Sequence, residues 1–447
     1  MTPRAPAAAL VLAAALLAAP AAHANGRVPM ILSVEARPDV PDTILLGSTF
    51  GLVASTDRGA SWGWVCEAAL GYMGIFDPHV ASAASGTWLV TLFASMARSA
   101  DGGCTWTPPA GIDGAGGSWR AVAAHPTVPG TFYAANGGDS GAFALWVSTD
   151  DGLSFAPTTL ASTAQYYDGI AVSPADPARL YVGSWYPTPP QGFVHASDDG
   201  GATWTTTEHT TATTTRLRVL GTSATDPDVV LWLNDGMTNG IWRSDDGGLT
   251  GALSWDGGGV RFAAFAVGAD GTMYAANLGG DFVTSTDDGL TWTPAGTTPV
   301  SCLEAGAGGL YGCTNAISTG FPVGTSSDGA LTFAGLYAFA DTGGPIGTCA
   351  PGTPTRDLCD ALWPAQRIAL GIDTDAGVEA DAGDGARGHC GCAIAPRVSG
   401  ARGGPAASAW AGAAALLLTL AALLRSTYAT RITRGKPPHP GVRSPGN

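Results

Sequence analysis

Ser285-Thr286-Asp287-Asp288-Gly289-Leu290-Thr291-Trp292 is the stretch on which the reading of this chain turns. Its pattern, Ser-x-Asp-x-Gly-x-Ser/Thr-Trp, recurs with the aspartates at Asp57, Asp101, Asp150, Asp199, Asp246, Asp287 and Asp328, spaced 44, 49, 49, 47, 41 and 41 residues apart. A fixed period of this length marks a chain assembled from like supersecondary units. The residue types explain the turn. A short aspartate carboxylate accepts backbone N–H groups close to it in sequence. Glycine adopts a positive φ at little cost, and the aromatic side chain anchors the start of the next strand. Two copies depart. The fifth reaches an aromatic only at Trp255, which predicts an insertion in its turn. The seventh has Ala330 in the glycine position, which predicts a distorted one.

Ahead of each copy lie short β-like runs. Ile170–Val172, Arg179–Gly183 and Gly192–Ala196 precede the fourth copy, and Thr203–Thr207 follows it. Four short strands in about 45 residues make one propeller blade, and closing the ring protects the sheet edges. The expected fold is all-β: a single β-propeller of about seven four-stranded blades over 27–340. The repeated octapeptide resembles the Asp-box, or BNR, repeat of sialidases, sortilin-type receptors, xyloglucanases and photosystem assembly factors. The resemblance covers about 280 residues. It implies a propeller in which the boxes lie away from the face that carries activity in those families, so the seven box aspartates are read as structural.

Both ends carry targeting patterns. Residues 1–24 have Arg4, the apolar run Ala7–Ala19 and the small-x-small site Ala22-His23-Ala24, which together predict a cleaved signal peptide. Past a cysteine-bearing extension (341–372) lies an acidic, Gly-rich linker (373–405) that contains Cys390-Gly391-Cys392. Residues 406–424 are apolar and long enough for a transmembrane helix, and 425–447 form a basic cytoplasmic tail. The Cys-Gly-Cys, apolar helix and arginines resemble the myxobacterial C-terminal sorting signal, although the tail runs on well past the helix. That resemblance implies handling by export and C-terminal sorting machinery, and tethering at the cell surface through Cys390 and Cys392. The chain is therefore expected to be exported, with membrane contact through its C-terminal helix.

All 36 acidic residues fall between 25 and 400, where there are 14 arginines and no lysine, so the body carries a net charge of −22. Such a surface argues against nucleic acid, whose backbone calls for clustered cations. Neither a cofactor nor a metal site is expected. Of the six remaining cysteines, Cys302 and Cys313 flank a hairpin-like stretch and are expected to pair. Cys349 with Cys359, and Cys66 with Cys104, are the other expected disulfides.

Two readings of function compete. The first is a binding or scaffold module for a surface glycan or protein ligand, with Tyr166, Tyr167, Trp185 and Tyr186 as the aromatic candidates. The second is a sialidase-like or xyloglucanase-like glycoside hydrolase, with Asp168, Asp235 and Asp281 as candidate catalytic acids outside the boxes. Glutamate is scarce, at five residues, and no complete arginine triad is recognisable in the sequence. Both features favour binding.

Overall fold

Every second side chain along Phe262–Val267 is buried, which is the two-residue period of a strand and not that of a helix. The computed structural model describes residues 27–373 apart from 75, 114, 139–140, 212–213, 215 and 237–239. The expected signal peptide, the linker beyond 373, Cys390, Cys392, the apolar segment 406–424 and the basic tail lie outside the described residues. Among those described, no helix is long and apolar enough to cross a membrane.

The chain runs as successive antiparallel meanders. The first is β1 (Ile31–Glu35), β2 (Ile44–Ser48), β3 (Gly51–Ser55) and β4 (Trp62–Val65). A short helix α1 (Glu67–Leu70) leads to β5 (Val80–Ser82), β6 (Trp88–Thr91) and β7 (Met96–Ser99). Only an Arg98–Thr107 bridge stands for a fourth strand there, because Pro108 and Pro109 have no N–H to extend a ladder. Next come β8 (Ser118–Ala124), β9 (Phe132–Gly137), β10 (Phe143–Ser148) and β11 (Ala156–Ser162), then β12 (Tyr166–Val172), β13 (Leu180–Pro187), β14 (Pro190–Ser197) and β15 (Thr205–Glu208). A Tyr166–Gly137 pairing joins these two meanders into one eight-stranded sheet. The remaining meanders are β16 (Arg216–Thr222), β17 (Val230–Asp235), β18 (Gly240–Ser244) and β19 (Ala252–Trp255); β20 (Phe262–Val267), β21 (Met273–Asn277), β22 (Phe282–Ser285) and β23 (Thr293–Pro294); and β24 (Val300–Gly306), β25 (Gly309–Thr314), β26 (Val323–Ser326) and β27 (Ala334–Tyr337).

The first strands β1, β5, β8, β12, β16, β20 and β24 each lie beside the next, and β24 lies beside β1. The sheets therefore close into a ring around a channel lined by first strands, which is the β-propeller architecture. Hydrophobic clusters fill the spaces between neighbouring sheets, with Trp119, Phe132, Tyr181 and Trp232 among the most buried side chains. Past the ring, β28 (Thr342–Pro345) pairs in parallel with β4, so the segment that follows the last meander adds a fifth strand to the first sheet.

The repeated turn joins the third and fourth strands of each meander. In all seven copies the first Ser hydroxyl donates to the aspartate at 2.7–2.8 Å and accepts the N–H of the glycine position at 2.8–3.0 Å. The closing Ser or Thr donates its N–H to one carboxylate oxygen at 2.8–3.0 Å and its hydroxyl to the other at 2.5–2.7 Å. The Thr hydroxyl, then the backbone N–H, then the Ser hydroxyl hold Asp199, Asp287 and Asp328 down to about 2. The seventh turn is not distorted. Ala330 takes φ 74°, close to the 77° of Gly289, and its N–H makes the same bond to Ser326. In the fifth turn Gly251 stands where the aromatic would be, and the Trp232 ring occupies the space a side chain there would need.

The cysteine extension corrects two expected disulfides. Cys302–Cys313 forms, across directly opposed residues of β24 and β25. Cys349 and Cys359 do not pair with each other, nor do Cys66 and Cys104. The bonds are Cys66–Cys359 and Cys104–Cys349. The reason is a helix where a loop was expected. After α2 (Ala316–Thr319), the helix α3 (Pro354–Ala369) begins with proline at its first position and carries an Arg356–Asp360 pair at i,i+4. It packs on α1 and β4, and Trp363 meets Trp64 at 5.6 Å. Thr355 donates its N–H to the Cys104 carbonyl and its hydroxyl to that of Gly103. The extension is thus laid across the first two meanders, and each cysteine meets its partner there.

Candidate functional site

Strand direction alternates within each meander, so the repeated turns sit at one end of the ring, where the first strands finish. The opposite end holds the starts of the first strands and the loops between second and third strands. Every candidate ligand or catalytic residue falls at this opposite end. Tyr166, Tyr167 and Asp168 open β12, Trp185 and Tyr186 close β13, Asp235 closes β17, and Asp281 precedes β22.

The aromatic candidates divide by strand alternation. Tyr166 and Trp185 face each other across the β12–β13 ladder with rings stacked at 4.4 Å and 10°. The Arg120 guanidinium lies 5.3 Å over the Tyr166 ring. Tyr167 points the other way, buried to 1% in the packing between sheets, where burial raises its hydroxyl pKa. It is a core residue and not a surface one. Tyr186 reaches Ser162 at 3.3 Å and packs edge-on against Phe193.

The acidic candidates are each engaged already. Asp168 is 3% exposed and accepts from Arg216 Nε at 2.5 Å, with Arg120 at 3.9 Å. A bulge in β12 delivers it there. Gly169 has φ 77°, and a side chain at that position would collide with the Val219 carbonyl of β16. Asp235 lies opposite Arg216 in the β16–β17 register and 3.9 Å from Arg261. Asp281 belongs to a turn, accepting from the Asn277 amide at 2.9 Å while its own N–H donates back to Asn277. The structure thus joins Asp168 and Asp235 in one ionic network and leaves Asp281 outside it.

That network is centred on residues absent from the candidates above. Arg120, Arg216, Arg218 and Arg261 come from three meanders and converge at the start of the channel. Arg216, Arg218 and Arg261 line a cavity of about 270 Å³ with Asp235, Leu233 and Phe262. Arg218 lies 5.8 Å from the Phe262 ring centre. Burial lowers its pKa, with Asp168 and Asp235 acting in the opposite direction. His79 feels Asp168, Arg218, Arg120 and Arg216 together, and loss of bulk solvent around its imidazole holds it below its ordinary value. A sequence signal for this cluster does exist. Arg120, Arg216 with Arg218, and Arg261 all stand at the beginning of a first strand, in a chain poor in cations. Among the described residues, no group of three or more His, Cys, Asp or Glu side chains is placed to hold a metal.

No family model matches the chain. A 93-residue stretch is 38% identical to a xyloglucanase of Hypocrea jecorina (strain QM6a), covering 21% of this chain. The match spans only a tenth of that relative's length. Among solved structures, YCF48 bound to D1 peptide superimposes with a TM-score of 0.43 at 18% identity, over 60% of this chain and 82% of that one. The GH74 xyloglucanase from Xanthomonas campestris does so with a TM-score of 0.31 at 18% identity, over 67% and 63%.

Proposed function

We propose that this chain is an exported, surface-anchored Asp-box propeller of seven blades that acts as a binding or scaffold module for a glycan or protein ligand. The ligand docks at the channel mouth opposite the boxes. The observation that carries this reading is the state of the candidate acids: Asp168 and Asp235 are bound to arginines, and Asp281 is bound into a turn. A glycosidase needs a pair of carboxyl groups facing the scissile bond, one of them able to deliver a proton. Three acids held in these ways supply a polar, charged rim instead. Export through residues 1–24 and anchoring through Cys390, Cys392 and 406–424 belong to the same proposal, with the export and sorting machinery as partners. A second reading, a xyloglucanase-like hydrolase, draws on the 38% identical stretch shared with the Hypocrea jecorina xyloglucanase.

Two experiments test the proposal. The purified exported chain is screened for turnover of sialosides, xyloglucan and other β-glucans, beside a glycan-binding array. Binding without turnover, weakened by Trp185→Ala, is the expected result; hydrolysis abolished by Asp168→Asn or Asp235→Asn would establish the hydrolase instead. Fractionation of cells that express the chain truncated after Gly388 tests the anchor. The truncated form should leave the membrane fraction, and equal retention of both forms would defeat that part of the proposal.

A further inference from the structure

Helix α3 is fastened along one face only. Thr355 and Cys359 are buried and Trp363 meets Trp64, whereas Leu358, Ala361, Leu362 and Ala365 border a groove. The groove has a volume of about 370 Å³, with Phe50 and Trp64 as its floor, and it shares no lining residue with the arginine-lined cavity. Residues 358 to 369 of α3 run beside it for about 16 Å at the helical rise. The polar groups of the floor are spent within the protein. Trp64 Nε1 donates to the Phe50 carbonyl at 2.8 Å, and the Thr49 hydroxyl donates to the Val28 carbonyl at 3.1 Å while accepting the Met30 N–H at 3.0 Å. What they present to an occupant is apolar surface. The opening is acidic. One guanidinium, Arg27, stands there against three carboxylates, Glu67, Asp77 and Asp357, which leaves a surplus of two negative charges. The remaining charges of α3 cancel as the pairs Arg356–Asp360 and Arg367–Asp373. Met73, 83% exposed, and Leu358, 46% exposed, carry the apolar surface past the opening.

We propose that this groove docks an amphipathic helical segment of a protein partner, with its apolar side chains inside and lysine or arginine beside them. The proposal stands apart from the channel-mouth reading, and neither depends on the other. A groove walled by a helix and floored by aromatic rings takes the apolar face of a second helix, whose anchors recur at i, i+4 and i+7. Anchors so spaced span about 10.5 Å, within the length of the groove. The surplus of negative charge at the opening selects a basic flank. A sugar is a poorer fit, because its hydroxyls would lose water and gain few partners on this floor. A bilayer is a poorer fit too, since an acidic body is repelled by anionic headgroups. Cys66–Cys359 ties α3 to the connection that forms the opposite wall, so both walls are in place before a partner arrives and little ordering is left to be done on binding. Met73, an unbranched side chain at the opening, adapts to the shape of the incoming one.

The test uses the exported chain and the fluorescence anisotropy of a labelled synthetic peptide of about 16 residues, long enough to hold a helix, with leucine on one face and lysine on the flanks. One comparison peptide scrambles the order at the same composition, and another replaces lysine by glutamate. The designed peptide should bind at least about tenfold more tightly than either. Ala365→Trp, which fills the groove from an exposed position, should remove about tenfold or more of that affinity, as should Leu358→Lys at the opening. Leu290→Lys makes the same change at an exposed position of a repeated turn and should leave the affinity unchanged. Should Ala365→Trp fail to fold, Leu358→Lys carries the test. No binding of the designed peptide, equal binding of either comparison peptide, or no loss in the groove variants overturns the proposal. Two other occupants would show themselves through the same variants. Vesicles of phosphatidylcholine and phosphatidylglycerol that retain the parent chain and release the groove variants would put a lipid surface in the groove. A dimer in sedimentation that the groove variants dissolve would put a second copy there. Either result overturns the protein segment as the occupant, and none of these outcomes bears on glycan binding at the channel mouth.

Discussion

Removing Cys66–Cys359 with Cys66→Ala and Cys359→Ala leaves neither partner of that bond as a free thiol and tests how the ring is closed. The two long-range disulfides span 293 and 245 residues of sequence. They are not independent. While Cys104–Cys349 remains, the unfolded chain can run from 66 to 104, cross that bond and run from 349 to 359, so the loop released is only about 48 residues. The chain-entropy relation assigns a loop of that size about 4 kcal/mol. The same reasoning gives about 4 kcal/mol for removing Cys104–Cys349 alone. Removing both releases a loop of full length as well, and the sum becomes about 9.5 kcal/mol. The double removal therefore exceeds the two single removals by about 1.5 kcal/mol. Local pairing of Cys66 with Cys104 and Cys349 with Cys359 would close separate loops and give no such excess. Denaturant unfolding of the oxidised chain and the three variants measures the three losses, and non-reducing peptide mapping identifies the bonds. Additive losses, or mapped peptides that join 66 to 104, would refute the closure described here.

The repeated-turn aspartates are held below the ordinary carboxylate range, so the stability they add is present above about pH 4. It is lost as the pH falls towards their folded values, which are about 2 for Asp199, Asp246, Asp287 and Asp328. Melting temperature measured against pH should fall through that window, and Asp287→Asn should flatten the fall. Glu304, at the other end of the channel, behaves in the opposite sense. Burial and then Glu35 raise its pKa well above the ordinary value, so its folded form favours the proton, and stability drops as the pH rises through that pKa. Glu304→Gln should accordingly raise the melting temperature at neutral pH and leave it unchanged near pH 4; an equal gain at both would contradict the assignment. Gly169→Ala should cost about 2 kcal/mol or more by chemical denaturation, since a methyl group there meets the Val219 carbonyl at a φ of 77°.

The repeated turn was open to reading from the chain alone because it is complete within eight residues. Asp287 bonds to Ser285 and Thr291, and Gly289 bonds to Ser285, so nothing outside the octapeptide is needed for its hydrogen bonds. The strands are almost as local, since alternate burial along Phe262–Val267 follows from the two-residue period of a strand. The Cys302–Cys313 hairpin bond belongs to the same class, with 11 residues between its ends. The other two disulfides do not. Their partners lie in the first two meanders and beyond the last one, and only ring closure, with α3 laid across the early sheets, brings them within 5.4 Å and 5.1 Å between Cα atoms. The arginine site was hidden for the same reason. Arg120 lies 98 residues from Arg218 and 141 from Arg261 in the chain, and their shared place at the starts of first strands gains its meaning only when the meanders are set around one ring. They meet because the first strand of every meander faces one channel and begins at the same end of it. Local hydrogen bonding and strand period are written residue by residue, whereas the charge left over at the mouth is a sum over separate meanders that exists only once the ring is closed.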